Sequence, residues 1–305
     1  MDLLQLRYFQ AVARREHLSQ TAAELRVAQP SLSRAIARLE ADLGVPLFDR
    51  AGRGLRLNRF GAGFLQRVDR ALRELDDARR ELADAAGLEH GSVAVAAETL
   101  LTLTGMLIEF RAAHPGVAIR LYQSSAEGMA KQLHTGEVDL CFASQPLSGP
   151  DLRTRELLRE EVLLAVPPGH RLAGRESVPM DELVGEPFVT TRPGYWPREL
   201  ADRLFAAAGL RPEYTCECDE PGATGDLIGS GLGIGLVPGM SRRVATHSPV
   251  VYARLATPDC YRSLTAVWRG DAYSSAAARR LTEFAGEYFH RAFPVTSATA
   301  RPSSP

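Results

Sequence analysis

The chain has 305 residues, 45% of them apolar, and a formal net charge of −1; it is too long for one ordinary domain and apolar enough to fill two or three cores. No run approaches the ~18–20 apolar residues of a membrane-spanning helix, and Asp2, Arg7, Arg14 and Arg15 interrupt any apolar leader, so a cytoplasmic protein without membrane contact is expected. Four cysteines, at 141, 216, 218 and 260, have no zinc-ligand spacing and suggest packing rather than a disulfide framework. The balance of charge is uneven. Residues 1–60 hold ten arginines against six acids, a net of +4, which leaves −5 for the remainder. A basic head on a mildly acidic body suits a nucleic-acid-binding module joined to something else.

Leu3 to Arg14 has the spacing of an amphipathic helix. Ser19 to Glu40, SQTAAELRVAQPSLSRAIARLE, then reads as two short helices around a tight turn. Ser19 is an N-cap residue type, with Ala22, Ala23 and Leu25 on one face behind it. Pro30 suits the first position of the second helix, where its missing N–H costs nothing. Leu32, Ile36, Leu39 and Leu43 make that helix's core face. Gln29, Ser31, Ser33 and Arg34 fall near its start and mostly off that face, as residues that meet phosphates and base edges in a major groove should. Gly44 is a C-cap. Pro46–Phe48 and Leu55–Leu57 flank a turn, a β-wing whose Arg50 and Arg53 would suit a flanking minor groove. Asn58 should cap a long helix from about Arg59 to Ala86. Leu65, Val68, Leu72, Leu75, Leu82 and Ala86 give it a coiled-coil seam, weakened at Arg79. So charged a helix has too little apolar surface to stand alone, and a second subunit is its simplest partner.

From Ser92 strands alternate with helices, which predicts an α/β region with mostly parallel sheets. Strands are expected over 92–97, 117–123, 138–144, 157–166, 187–190, 214–218, 234–237, 250–255 and 263–269. Helices are expected over 100–113, 126–135, 198–208, 223–230 and 274–293. The Ser-, Thr- and Pro-containing tail from Pro294 should be disordered. Ligands in such lobes sit beyond the C-terminal ends of strands. Four turns qualify: Glu98-Thr99-Leu100, Ser124-Ser125, Thr190-Thr191-Arg192 and Gly222-Ala223-Thr224. Three of them offer hydroxyls and backbone N–H groups suited to a carboxylate or phosphate. Glu98 disfavours a plain anion and leaves room for an amino acid. Tyr195 and Trp196 are candidates for stacking on a ring. The glycines of GSGLGIGLVPG lack the spacing of a dinucleotide-binding turn, and no cofactor or metal site is expected.

The helical pair resembles the DNA-binding motif of the LysR-type transcriptional regulators, A-A-x-x-L-x-x-[SA]-Q-P-[AS]-L-S-x-x-I-x-x-L-E. Its places are held by Ala22, Ala23, Leu25 (one residue early), Ala28, Gln29, Pro30, Ser31, Leu32, Ser33, Ile36, Leu39 and Glu40. The resemblance extends over essentially the full chain. It implies an N-terminal winged helix-turn-helix over 1–58, a dimerising linker helix over 59–89 and a regulatory domain over 90–293. That domain would be periplasmic-binding-protein-like (type II), with lobe one at 92–164 and 268–293 and lobe two at 165–267. The implied partners are double-stranded DNA and a small effector held at the four turns, with a homodimer or homotetramer as the assembly and RNA polymerase as a further partner of an activator. An α/β enzyme with a helical head is the main alternative; no G-x-S-x-G, P-loop or H-E-x-x-H motif supports it. A pure solute-binding component would lack residues 1–90 and carry an export signal.

Overall fold

A computed structural model describes residues 1–51, 54–86, 91–243 and 247–293. Arg53 and the tail from Pro294 lie outside the described residues, as does the side chain of Arg50. The chain divides into two units, Met1–Ala83 and Asp84–Pro305.

The first unit contains α1 (Leu3–Arg15), α2 (Leu18–Glu24), α3 (Gln29–Leu43), the hairpin β1 (Phe48–Ala51) and β2 (Gly54–Leu57), and most of α4 (Arg59–Ala85). A capping box opens α1: Gln5 N–H donates to Asp2 Oδ1 at 2.8 Å, and Asp2 N–H donates to Gln5 Oε1 at 2.9 Å. His17, not Ser19, caps α2, its Nδ1 accepting from Gln20 N–H at 3.3 Å. The chain enters α2 two residues earlier than expected, so Ser19 is already helical. Pro30 is the second helical residue of α3, and Gly44 ends that helix in the left-handed region (φ 73°). Glu40 joins helix to wing, its Oε1 accepting from Leu47 N–H at 2.7 Å and Phe48 N–H at 3.2 Å. Asn58 Oδ1 accepts from the N–H groups of Phe60 and Gly61 at the start of α4. Phe9, Val12, Leu32, Leu39 and Leu47 form the core together with Val68 and Leu72 of α4. The first unit therefore takes in most of α4 as well as the winged helix-turn-helix. The structure also splits the expected seam: Val68 and Leu72 are spent inside this unit, whereas Leu75 is 46% exposed and Leu82 71% exposed.

The second unit is built on an eight-stranded mixed sheet, ordered β4 (Ala118–Gln123), β3 (Ser92–Ala97), β5 (Leu140–Ala143), β12 (Tyr261–Arg269), β6 (Leu152–Val166), β11 (Val251–Leu255) and β7 (Ser177–Val178), with β10 (Gly235–Pro238) also on β6. β3, β4 and β5 are parallel, but β12 runs antiparallel to both β5 and β6, and β10 and β11 are antiparallel to β6. The expectation of mostly parallel sheets holds for the outer strands and fails for this spine. β6 is fifteen residues long and belongs to both lobes. Leu152–Glu161 pair β12, and Val162–Val166 pair β10 or β11. Thr265–Val267 pair β5 inside lobe one, so the boundary expected at 267/268 falls too late; the chain re-enters lobe one along β12.

In lobe one, α5 (Thr104–Ala113) and α9 (Ala276–Ala292) cover one face of the sheet, their Phe110 and Phe289 in one core with Val95 and Phe142. α6 (Ala126–Thr135) covers the other, with Met129 and Leu133 on Ala94 and Ala96. Lobe two adds the parallel pair β8 (Pro187–Thr191) and β9 (Glu213–Cys218), with α7 (Trp196–Ala207) and α8 (Thr224–Gly229). The glycine run before β10 has a packing cause: a Cβ on Gly233 (φ 152°) would lie 2.2 Å from the Pro187 carbonyl oxygen. That approach lets Ile234 N–H reach Pro187 O at 2.8 Å and Val189 N–H reach Ile234 O at 2.7 Å.

Candidate functional site

Two surfaces are candidates for function. The first is the start of α3. Leu32, Ile36 and Leu39 point into the core at the helical spacing, which turns Gln29, Pro30, Ser31 and Arg34 outward. Ser33 is half-buried, and Arg34 Nη2 donates to Ser31 Oγ at 3.4 Å. Arg38, one turn beyond Arg34, is exposed as well. The sequence signal for it was its i, i+4 spacing from Arg34.

The second is the cleft between the lobes of the second unit. Its mouth is bridged by three hydrogen bonds. Gln123 Nε2 donates to Asp219 O at 3.3 Å, Gln145 Nε2 to Gly194 O at 3.3 Å, and Ala126 N–H to Gly194 O at 3.4 Å. A cavity of about 370 Å³ lies here, lined by Thr99, Leu101 and Thr102 from lobe one and by the Glu220–Asp226 segment, Pro238 and Met240 from lobe two. The two walls come close: a Cβ on Gly222 would sit 3.4 Å from Thr99 Oγ1. Trp196 and Arg262 complete the lining.

Arg262 is the buried cation at this site; of the acids in the lining, Glu220 Oε1 accepts from Gly222 N–H at 3.1 Å and Asp226 Oδ2 lies 3.2 Å from His247 Nδ1. Arg262 is 3% exposed, on β12 where that strand crosses between lobes. Its Nε and Nη2 donate to Glu160 Oε1 at 3.0 and 2.6 Å, and its guanidinium lies 5.0 Å from the Trp196 ring centroid. Glu160 Oε2 accepts from Met240 N–H at 2.7 Å. Arg262 Nη2 also donates to Met240 Sδ at 3.0 Å, and among the described residues Nη1 has no hydrogen-bond partner, so that edge of the guanidinium is available. Glu98 is 2% exposed and accepts from Ser144 N–H at 2.9 Å and Gln145 Nε2 at 3.2 Å. Burial pushes its carboxyl above the ordinary glutamate range, against those hydrogen bonds and the charge of Arg262.

The structure brings only part of the predicted set into the cavity. Thr99 and Thr224 line it; Glu98 lies just behind, with Thr99 and Arg262 around a small void. Leu100 packs against the lobe-one core. Ser124 Oγ donates to Gln132 Oε1 at 2.7 Å, and Ser125 caps α6, so both hydroxyls are occupied inside lobe one. Thr190 and Thr191 are buried on β8, their hydroxyls without a partner among the described residues, and do not line the cavity. Arg192 is exposed and ion-paired with Asp219, so it is not the cavity's counter-charge. Of the two aromatic candidates, Trp196 lines the cavity and Tyr195 does not. Cys216 and Cys218 are half-buried and free, and burial pushes the Cys218 thiol up, away from reactivity.

Comparison with known proteins decides the family. Residues 3–62 match the bacterial regulatory helix-turn-helix protein model of the lysR family, and residues 86–290 match the LysR substrate binding domain. The chain belongs to the LysR family of transcriptional regulators. It is 32% identical over 292 residues to the HTH-type regulator YybE of Bacillus subtilis, covering 95% of this chain and 99% of the relative. It is 30% identical over 295 residues to the transcriptional dual regulator GltC of the same organism, covering 95% and 98%. A full-length point variant of OxyR from Pseudomonas aeruginosa shares the LysR fold, with a TM-score of 0.70 at 22% identity over 93% of this chain and 94% of that one. A LysR regulator binds DNA through the first matched segment and a small effector through the second. No helix among the described residues is long and apolar enough to cross a membrane.

Proposed function

We propose that this LysR regulator reads its operator through Gln29, Pro30, Ser31, Ser33 and Arg34, with Arg38 as a phosphate contact and Arg50 and Arg53 of the wing as flanking contacts. Its effector occupies the cavity of about 370 Å³, a volume suited to a metabolite. The effector is a small carboxylate or amino acid: Arg262 offers a buried cation, and Thr99, Thr102 and Thr224 surround it with hydroxyls. The protein binds this molecule and does not transform it. A ligand touching both walls stabilises one arrangement of the lobes, and its effect on DNA affinity follows from that differential binding. Leu75 and Leu82 of α4 are the dimer contacts, because they are the apolar seam residues left uncovered. Further assembly to a homotetramer, a contact with RNA polymerase on activation and a cytoplasmic location complete the proposal.

The single observation that carries the effector assignment is the convergence of Thr99, Gly222, Thr224 and buried Arg262 on one cavity. The test is thermal shift of the full chain against organic acids, amino acids and neutral sugars. At one hundred times its dissociation constant a true ligand adds about 2.7 kcal/mol. At about 2–4 °C per kcal/mol for a domain of this size, that is a rise of roughly 5–10 °C. A response confined to neutral sugars defeats the assignment.

A further inference from the structure

We propose that a second cavity in the regulatory unit binds a flat, singly anionic metabolite, independently of the effector cavity. This cavity, about 490 Å³, is lined by Arg159, Arg203, Tyr261 and Ser263 among others, and shares Trp196 and Arg262 with the first. Trp196 and Arg262 line both cavities, whereas Arg159, Tyr261 and Ser263 line only the second, as strand alternation requires of side chains on the other face of the β6–β12 ribbon. Arg159 pairs Ser263, and Arg262 pairs Glu160, one residue along and therefore turned the other way.

The chemistry of the walls defines the ligand. Neither Arg159 nor Arg203 makes an ion pair among the described residues. The Arg159 guanidinium lies 5.4 Å from the Tyr261 ring centroid, and Arg203 Nη2 donates only to the Asp259 carbonyl, at 3.4 Å. Two free planar forks beside a cavity are equipped for bidentate recognition of a carboxylate or phosphate. Tyr261 and Trp196 give aromatic surface for a ring. Trp196 Nε1 is buried with no hydrogen-bond partner among the described residues, as is expected of a donor that a bound acceptor would complete. Two acids also line the cavity. Glu199 Oε1 is already taken by Gly194 N–H at 2.9 Å; the Asp259 carboxylate is available. The balance suits a ring carrying one negative group and a hydrogen-bond donor, and it excludes a polyanion.

The experiment uses the full chain with Trp268→Phe, which leaves Trp196 as the sole tryptophan of the two. Adenosine 3′,5′-cyclic monophosphate, which carries one negative charge, 4-aminobenzoate, adenosine and inorganic phosphate are titrated against its fluorescence. At least one of the first two should give a saturable change, with adenosine and phosphate at least tenfold weaker. Ala223→Phe, which fills the other cavity, should leave that titration in place, and Arg159→Ala/Arg203→Ala should weaken it at least tenfold. Both arginines are exposed, so the double variant folds; its urea midpoint checks this. No saturable response to either ring anion overturns the proposal. So does a response that survives loss of both arginines, or one abolished by Ala223→Phe.

Discussion

Replacing Arg262 with Met should destabilise the regulatory unit severely, and replacing Glu160 with Gln in the same chain should restore most of the loss. The Arg262 and Glu160 side chains are 2% and 10% exposed, and they sit directly across from each other where β6 and β12 pass between the lobes. With Arg262 gone, Glu160 keeps Met240 N–H but loses two charge-assisted bonds. Its carboxylate is then left uncompensated away from water. Breaking a buried pair in this way costs about 3–5 kcal/mol, whereas replacing both members is often neutral. At about 2–4 °C per kcal/mol, Arg262→Met should melt roughly 6–20 °C lower, and the double variant should return to within a few degrees of the parent. Urea unfolding followed by tryptophan fluorescence measures both midpoints. The double variant also separates stability from recognition: it should fold and no longer be stabilised by the anionic effector. A single variant within about 1 kcal/mol of the parent, or a double variant no better than the single, would show that the pair is not coupled in a dry site.

Three further outcomes are expected. Arg34→Ala should cost about 1–3 kcal/mol of specific DNA binding, while Arg38→Ala weakens all duplexes alike and lowers the salt slope by about one; anisotropy at several salt concentrations distinguishes them, and unchanged affinities sink the interface. Leu75→Arg/Leu82→Arg should give a folded monomer by sedimentation, because both residues are exposed, whereas Leu72→Asp should unfold the first unit by placing a charge in its core; a Leu75/Leu82 variant that stays dimeric refutes the contact. Burial raises the Glu98 carboxyl above its ordinary value of 4.5, so between the unfolded and folded values the native state holds the extra proton. Stability conferred by the protonated form is complete below the unfolded value and is lost as pH rises through the folded one. Glu98→Gln should flatten that decline in urea midpoints taken from pH 4.5 to 8, and a parallel decline in the variant would contradict it.

The DNA-binding head was legible because its signals are local. Pro30, the Leu32–Ile36–Leu39 spacing and Gly44 each act within one or two turns of α3, and the structure places all of them as helix start, core face and helix end. Ser19 misled because His17 also caps a helix through Nδ1. The start of β6 was hidden for a different reason: Leu152–Glu156 is mostly exposed and charged, and it becomes strand only by pairing with β12, more than a hundred residues away. The effector cavity shows the same divide. Each of the four strand-end turns could be found from alternation, but hydroxyls at Ser124 and Ser125 are consumed by α6. Arg262, the one buried cation of the cavity, sits in mid-strand. Nothing around it in sequence announces that β12 crosses between the lobes beside Trp196 and Met240.

The central claim is that a small molecule held between the lobes changes DNA binding by the N-terminal head. It is tested most directly by fluorescence anisotropy of the full chain on a duplex it selects from a random pool, with and without the acid or amino acid giving the largest thermal shift. A coupling typical of linked sites changes the apparent affinity by about 5–150-fold. The predicted result is a change in that range for the parent protein and none for Ala223→Phe, whose filled cavity should leave basal DNA binding intact. The same affinity with and without the ligand, or an equal response in Ala223→Phe, would contradict the account.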